Sequence, residues 1–324
     1  MSDATIFSRR RFVQTSLIGM AACAMPAALE AKLHSVVSGV HVGMQTFSLR
    51  LVRYPDIVSA VQQVGTGEVE LFSTQVEPTA ADAPDIMKWR DTISLDYFKD
   101  IRKKFDQAGI DIFSYNPRFG AGGGRGRGGP AAPGGPGGSQ PGGAGGTGGP
   151  GGPPTPPPQA PPPTPITDAQ IDRIFEFTKA LGAKHVAAGM TADMAKRLVP
   201  FAEKHKTIVA VASSDPAVLS QVPAMSPWLR MDVDIGDFTR NGHDALEFVK
   251  DNYQHLLDVH LKDCKFRGTS VPFGQGDSHM KEVLQFLRDK KSQARAMIDC
   301  DYPGTGTSVD EVKKCYDYIK SCLA

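Results

Sequence analysis

The chain has 324 residues, with 36 Lys and Arg, 35 Asp and Glu, and a formal net charge of +1. This balance gives no general electrostatic reason to expect nucleic acid or an acidic membrane surface as a partner. No apolar run reaches the roughly 18 residues of a membrane-spanning helix, which excludes a multi-span membrane protein.

The first 31 residues are typical of an export signal of the twin-arginine type. Residues 8–12 read SRRRF, and an apolar stretch of small residues follows at 17–29, ending in an A-x-A-like cleavage site. We therefore expect a periplasmic or other extracytoplasmic protein. Two alternatives for this segment are a basic amphipathic first helix and lipid anchoring at Cys23.

Eight short apolar segments alternate with amphipathic segments along the rest of the chain. The predicted strands are residues 41–47, 68–72, 110–115, 185–188, 207–212, 229–235, 256–260 and 295–299. The predicted helix signals are the capping boxes Thr167-x-x-Gln170 and Ser308-x-x-Glu311 and the apolar faces at 95–105, 171–181 and 280–287. Alternating strands and helices predict a parallel sheet, and eight such units predict closure into a single (β/α)8 TIM barrel. This α/β barrel would comprise residues 32–119 and 166–324.

Two segments depart from the regular barrel pattern. Residues 120–165 hold 19 of the 34 Gly and 14 of the 25 Pro, a composition that predicts a disordered insertion after the third strand. This insertion is either a tolerated low-complexity segment or a lid or tether at the C-terminal face. Residues 213–228 contain three prolines, so we expect a degenerate fifth unit with a short helical turn or none.

Polar side chains end several predicted strands, where TIM barrels carry their active sites. They are Glu70 on the second strand, Asp232 and Asp234 on the sixth, His260 on the seventh, and Asp299 and Asp301 on the eighth. Asp234, His260 and Asp299 together predict a site for a hard divalent metal. Such an ion polarises a sugar carbonyl while a carboxylate, Glu70 or Asp301, moves the adjacent proton. Alternatively, the histidine is a structural hydrogen-bonding residue and the outer acids are solvated.

Basic residues and a glycine-rich loop add to this site. Lys262 and Arg240 are predicted substrate-binding residues, although Lys262 can instead form a surface pair with Asp263. The Gly274-x-Gly276 loop either lets backbone amides approach a ligand oxygen or forms a plain turn.

Several segments resemble the sugar phosphate isomerase/epimerase family of xylose isomerase-like TIM barrels. They are VGMQTFSL at 42–49, EVELF at 68–72, IFEFTKALGAK at 174–184, DIGDFTRNGHD at 234–244, VHLKD at 259–263 and VPFGQGD at 271–277. The resemblance spans about residues 41–322 outside the Gly/Pro tract, and exported twin-arginine members are similar to this chain from end to end.

The resemblance implies a divalent metal, Mn²⁺, Mg²⁺ or Zn²⁺, held by carboxylates of strands five, six and eight and by the histidine of strand seven. Asp234, His260 and Asp299 match three of these four positions. At the fourth, the chain has Ser213 and Ser214 where the family has Glu or a His-Asn-His-like stretch. The strand-eight acids are Asp where the family usually has Glu.

These observations predict an exported sugar isomerase or epimerase acting on a free or keto-sugar. Its metal-assisted step would remove a proton next to a carbonyl, the first step of isomerisation, epimerisation and lyase-type cleavage alike. The alternative is a catalytically impaired carbohydrate-binding barrel, which the serines at 213 and 214 favour. A DNA endonuclease of the related abasic-site repair barrels is disfavoured because the net charge is only +1 and a leader precedes the barrel. The expected partner is a small sugar and not nucleic acid, and the sequence predicts no oligomeric state.

Overall fold

The computed structural model describes residues 33–79, 82–83, 85–119 and 165–324. The predicted leader, Cys23 and all but the last residue of the predicted Gly/Pro insertion lie outside these ranges. Within them, every helix is too short or too polar to cross a membrane.

Nine strands of the described residues form one closed sheet. They are β1 (Val36–Val37), β2 (Val40–Gln45), β3 (Glu68–Phe72), β4 (Asp111–Asn116), β5 (His185–Gly189), β6 (Ile208–Ala212), β7 (Leu229–Asp234), β8 (Leu256–Leu261) and β9 (Arg295–Ile298). β1 pairs antiparallel with β2, whereas β2 to β9 pair in chain order as parallel neighbours. Parallel pairing of β2 with β9 closes the sheet into an eight-stranded barrel. The predicted TIM barrel is therefore confirmed.

All eight predicted strands are present, and every observed boundary lies within two residues of its predicted position. The prediction holds because these segments carry β-branched and apolar residues that are buried against the helices, such as Val209 and Val211 on β6. β1 was not predicted, since two residues are too few to show a strand periodicity.

Helices surround the barrel. They are α1 (Asp56–Val64), α2 (Ser73–Val76), α3 (Ile86–Thr92), α4 (Leu95–Gln107), α5 (Asp168–Ala180), α6 (Ala192–His205), α7 (Pro216–Leu219), α8 (Val222–Met225), α9 (Ile235–Arg240), α10 (Ala245–Asn252), α11 (Met280–Asp289) and α12 (Ser308–Leu323). Their apolar faces pack on the outer side of the strands. Phe98, Ile101 and Phe105 of α4, for example, are fully buried.

The fifth barrel unit is short, as predicted. Only α7 and α8, four residues each, connect β6 to β7. Pro216 and Pro223 lie in the first turns of these two helices, where a missing N–H costs no hydrogen bond. The connection leaves room for two single turns but not for a full crossover helix.

The capping box of α12 lies one residue earlier than predicted. The Asp310 amide donates to Thr307 Oγ1 at 3.2 Å, and the Thr307 amide donates to Asp310 Oδ2 at 3.2 Å. The predicted partner, Glu311, turns inward instead and accepts hydrogen bonds from the Tyr302 hydroxyl and the Gly306 amide. The prediction of Ser308 as the capping residue is therefore wrong.

Candidate active site

Acidic side chains and one histidine line the interior of the barrel. They are Glu70 of β3, Asp232 and Asp234 of β7, Asp258 and His260 of β8, and Asp299 just after β9, and none is more than 4% exposed. Alternate residues of a strand face the same side, and the parallel register sets Asp232 opposite Asp258 and Asp234 opposite His260. Strand ends that are far apart in sequence therefore meet at one place.

Glu70 lies at the centre of a buried hydrogen-bond network. Gln45 Nε2 and Asn116 Nδ2 each donate to Glu70 Oε1 at 2.7 Å. Ser114 Oγ lies 3.5 Å from Glu70 Oε2, and His260 Nε2 lies 3.1 Å from the same oxygen. Burial alone would raise the pKa of Glu70, but the His260 charge and the hydrogen bonds from His260, Gln45 and Asn116 together lower it. Glu70 is thus held as a carboxylate that fixes the His260 ring.

Lys262 lies among four aspartates at the C-terminal ends of β7, β8 and β9. Its Nζ is 3.0 Å from Asp234 Oδ2, 3.1 Å from Asp299 Oδ2, 3.3 Å from Asp237 Oδ1 and 3.3 Å from Asp301 Oδ2. The Lys262 side chain is only 5% exposed. The predicted substrate-binding lysine and three of the predicted acids therefore form one cluster.

The start of α9 shapes the space that Lys262 occupies. Asp234 caps this helix, because its Oδ1 accepts the Asp237 amide at 2.9 Å. Gly236, in the first turn, lies against Lys262. A Cβ at position 236 would come within 2.6 Å of Lys262 Cγ and 2.8 Å of its backbone oxygen. Only glycine leaves room for the lysine here.

Arg240, the second predicted substrate-binding residue, lies on the solvent side of this cluster. Its guanidinium is 3.2 Å from Asp237 Oδ1 and 3.5 Å from Asp301 Oδ2. The side chains of Arg240 and Asp301 are 27% and 25% exposed, far more than the acids below them. These two residues therefore form the part of the cluster that a solute reaches first.

Asp263 does not form the surface pair with Lys262 that was one of the two expectations, since both residues are buried. Asp263 Oδ2 instead accepts the amides of Gly274 at 2.8 Å and Gly276 at 2.9 Å. A Cβ at Gly276 would come within 2.1 Å of the Asp263 carboxylate. The Gly-x-Gly amides thus bind a carboxylate of their own chain, and this contact holds the loop between β8 and α11.

Two groups of described side chains match a metal site in donor type. Glu70, Asp258 and His260 form one group, and the predicted ligands Asp234, His260 and Asp299 form the other, with ligand atoms within 4.8 Å of one another in each group. Both groups contain the oxygen and imidazole donors that divalent metals use.

The arrangement of these groups does not fit a resident divalent ion. Lys262 Nζ contacts both carboxylates of the predicted set. At the position where the resemblance implies a fourth ligand, Ser213 Oγ accepts the Asp215 amide at 3.1 Å. In the other group, the Glu70 oxygens already accept hydrogen bonds from neighbouring side chains.

Several residues of the site were not predicted. Asp237 contacts both Lys262 and Arg240, and Gln45 and Asn116 hold Glu70. A weak signal existed for the last two, because each is the final residue of a barrel strand. Asp258 could have been found from strand alternation, since it lies two residues before His260.

No protein-family model and no curated protein matches this sequence. Solved structures match its fold over most of its length. A xylose isomerase domain protein from Planctomyces limnophilus is 14% identical, with 85% of this chain and 93% of that chain covered and a TM-score of 0.56. A sugar phosphate isomerase/epimerase from Parabacteroides distasonis is 13% identical, with 90% and 98% covered and a TM-score of 0.56.

A third solved structure, 3-keto-D-glucoside 4-epimerase from E. coli, is 10% identical to this chain. The match covers 86% of this chain and 98% of that chain, with a TM-score of 0.56. At these identities the similarity concerns the fold. The chain has the fold of the xylose isomerase-like TIM barrels.

Proposed function

We propose that this barrel is a sugar isomerase/epimerase-like enzyme that moves a proton at the carbon next to a sugar carbonyl. The observation that carries the proposal is the buried Lys262 ammonium beside the partly exposed carboxylate of Asp301, 3.3 Å away. A cation next to a carboxylate at the end of a TIM barrel suits proton transfer next to a carbonyl. The epimerase and isomerase names of the structural neighbours support the same reaction class.

The reaction begins when a carboxylate removes the proton next to the carbonyl. The electron pair of the broken C–H bond moves onto the carbonyl oxygen, where negative charge develops. In our proposal Asp301 accepts this proton, and Lys262 donates a hydrogen bond to the developing oxyanion. Return of the proton to the former carbonyl carbon, with transfer of the neighbouring hydroxyl proton to the former carbonyl oxygen, gives isomerisation. Return of the proton to the opposite face of the original carbon gives epimerisation. Loss of a substituent from the enediolate gives lyase-type cleavage.

Glu70, the other predicted proton acceptor, has a positioning role in this proposal. It is fully buried, and both of its carboxylate oxygens lie within hydrogen-bond distance of neighbouring side chains. A lowered pKa also makes it a weaker base. Glu70 therefore orients His260, and Asp301 is the residue that a substrate can reach.

The charge of the cluster favours an unphosphorylated sugar. Among the residues that the structure describes, this cluster has four aspartates, Asp234, Asp237, Asp299 and Asp301, and two cations that contact them, Lys262 and Arg240. This excess of acid would repel a phosphate dianion. A free or keto-sugar also agrees with the extracytoplasmic location that we propose from the leader-like residues 1–31.

Deuterium exchange tests this proposal. In D₂O, the wild-type protein should exchange the hydrogen next to the carbonyl of an aldose, a ketose or a 3-ketoglucoside, which removes its proton NMR signal. Asp301→Asn should slow this exchange by about 10²- to 10⁴-fold because the proton acceptor is lost. Asp317→Asn, an exposed aspartate of α12, is the matched control and should leave the rate unchanged.

The same experiment separates the enzyme from the carbohydrate-binding alternative. One observation favours that alternative. Lys262 Nζ already contacts four aspartates, so a substrate oxygen must displace one of them before Lys262 can donate a hydrogen bond to the developing oxyanion. Sugar binding seen by calorimetry without any exchange would support the binding protein. Exchange that Asp301→Asn leaves unchanged would contradict the assignment of Asp301.

A further inference from the structure

Lys262 contacts two of the three predicted ligands of the divalent metal. Of the three predicted ligands, Asp234 and Asp299 are both carboxylates, and Lys262 Nζ contacts them at 3.0 and 3.1 Å. The ligand atoms of the full set lie within 4.8 Å of one another. A divalent ion bound by these carboxylates would stand next to the ammonium, and the two positive charges would repel each other.

Neighbouring residues leave space for the lysine side chain and compensate its charge in this position. Gly236 leaves the space for the Lys262 side chain, and a Cβ there would overlap it. Asp237 and Asp301 complete the shell of carboxylates around Nζ. Burying an ammonium is unfavourable unless opposite charges compensate it, and here four carboxylates do so.

The implied fourth ligand and the histidine also have other roles here. The resemblance implies a carboxylate ligand after β6, but Ser213 and Ser214 stand there, and Ser213 Oγ accepts the Asp215 amide. His260 Nε2 lies 3.1 Å from Glu70 and 3.5 Å from Asp232, so carboxylates of the barrel interior hold the imidazole. The ligand positions, the charges and the space left by Gly236 therefore all favour the lysine ammonium over a divalent ion at this site.

We propose that Lys262 is the resident cation of this site and that the protein binds no divalent metal there. The ammonium neutralises Asp234 and Asp299 and offers N–H donors to an oxygen of the ligand, which is the electrostatic role that a metal ion would have. This inference deepens the proposed function at the same site. Its test measures metal binding and not turnover, so either idea can fail without the other.

The test is a titration of the full chain with Mn²⁺ at neutral pH. Binding is measured by calorimetry and by the electron paramagnetic resonance signal of free Mn²⁺. We expect the wild-type protein to bind no stoichiometric Mn²⁺ up to about 1 mM. Lys262→Met removes the charge and keeps much of the side-chain length, so it should bind one Mn²⁺ at least about 100-fold more tightly. Adding Asp299→Asn to this variant should remove the binding. Lys265→Met, an exposed lysine nearby, is the matched control and should behave as the wild type.

The wild-type titration decides the question on its own. One Mn²⁺ bound per wild-type chain with a Kd below about 10 μM, and lost in Asp234→Asn, would overturn the proposal. If Lys262→Met folds only when Mn²⁺ is present, the metal replaces the lost ammonium and the proposal is supported. Lys262→Arg keeps a cation, and we expect it to fold without binding Mn²⁺.

Discussion

Lys262 and Glu70 are both charged and both buried, but different interactions compensate their charges. Lys262 is surrounded by carboxylates, so ion pairs compensate its charge. Glu70 receives hydrogen bonds from neutral amides, Gln45 and Asn116, and contacts His260 on its other oxygen. Breaking a buried pair by removing one partner leaves an uncompensated charge, which is strongly destabilising. Lys262→Arg keeps the charge and should therefore retain the fold, whereas Lys262→Met leaves the carboxylates without their cation.

Gly236 offers a test at the residue scale of how Lys262 is placed. Gly236→Ala puts a Cβ about 2.6 Å from Lys262 Cγ, so the lysine must leave its position or α9 must shift. Overpacking of this kind lowers the free energy of unfolding by about 1–3 kcal/mol. Urea unfolding of the variant measures this loss.

Gly306→Ala is the matched control for this substitution, because its Cβ would meet no atom closer than 3.2 Å. Gly306→Ala should lower the free energy of unfolding by less than Gly236→Ala does. Equal unfolding free energies for Gly236→Ala and the wild type would show that Lys262 does not need this space.

At the scale of elements, the Glu311 side chain connects the first turn of α12 to the loop after β9 through hydrogen bonds. Glu311 accepts hydrogen bonds from Lys314 Nζ at 2.8 Å, the Gly306 amide at 2.9 Å and the Tyr302 hydroxyl at 3.0 Å. The Lys314 hydrogen bond first, and then the Gly306 amide, lower the pKa of Glu311 to about 2. The Glu311 side chain thus holds the loop that follows Asp299 and Asp301.

This contact predicts a pH-dependent stability. Since the pKa of Glu311 in the folded protein lies below its ordinary value of 4.5, its contribution is complete above that value and is lost as the pH falls toward 2. Glu311→Gln should therefore lower the free energy of unfolding by about 1–3 kcal/mol at pH 6. The difference from the wild type should shrink between pH 4.5 and pH 3. Urea unfolding across this range measures it.

Glu282→Gln, an exposed glutamate of α11, is the control for the pH series. It should follow the wild type at every pH. A Glu311→Gln difference that stays constant from pH 6 to pH 3 would mean that packing, and not the ionised carboxylate, holds the loop.

At the scale of the whole molecule, the sequence predicts the barrel well because its signals are local. The apolar run of β6 and the Thr167 capping box of α5 each depend on a few neighbouring residues, and both are present as expected. The convergence of Asp234, His260 and Asp299 also follows from strand ends alone. The position of Lys262 does not follow from strand ends, because it depends on Gly236 in the connection after β7 and on Asp299 in the connection after β9. The shift of the α12 cap by one residue has a similar cause: burial of Glu311 against Tyr302 decides it.

The composition of residues 120–165 yields a last prediction about the whole molecule. If these residues form the unstructured insertion that 19 Gly and 14 Pro predict, their length affects stability only through loop closure. Deleting residues 125–160 leaves about 10 residues and should stabilise the protein by about 1 kcal/mol, since the closure cost grows with the logarithm of length. The melting temperature should then rise by about 2–4 °C. A variant in which residues 125–160 are replaced by Gly and Ser at equal length is the control and should melt with the wild type. A fall of more than about 5 °C in the deletion variant would instead show that the tract stabilises the barrel through contacts of its own.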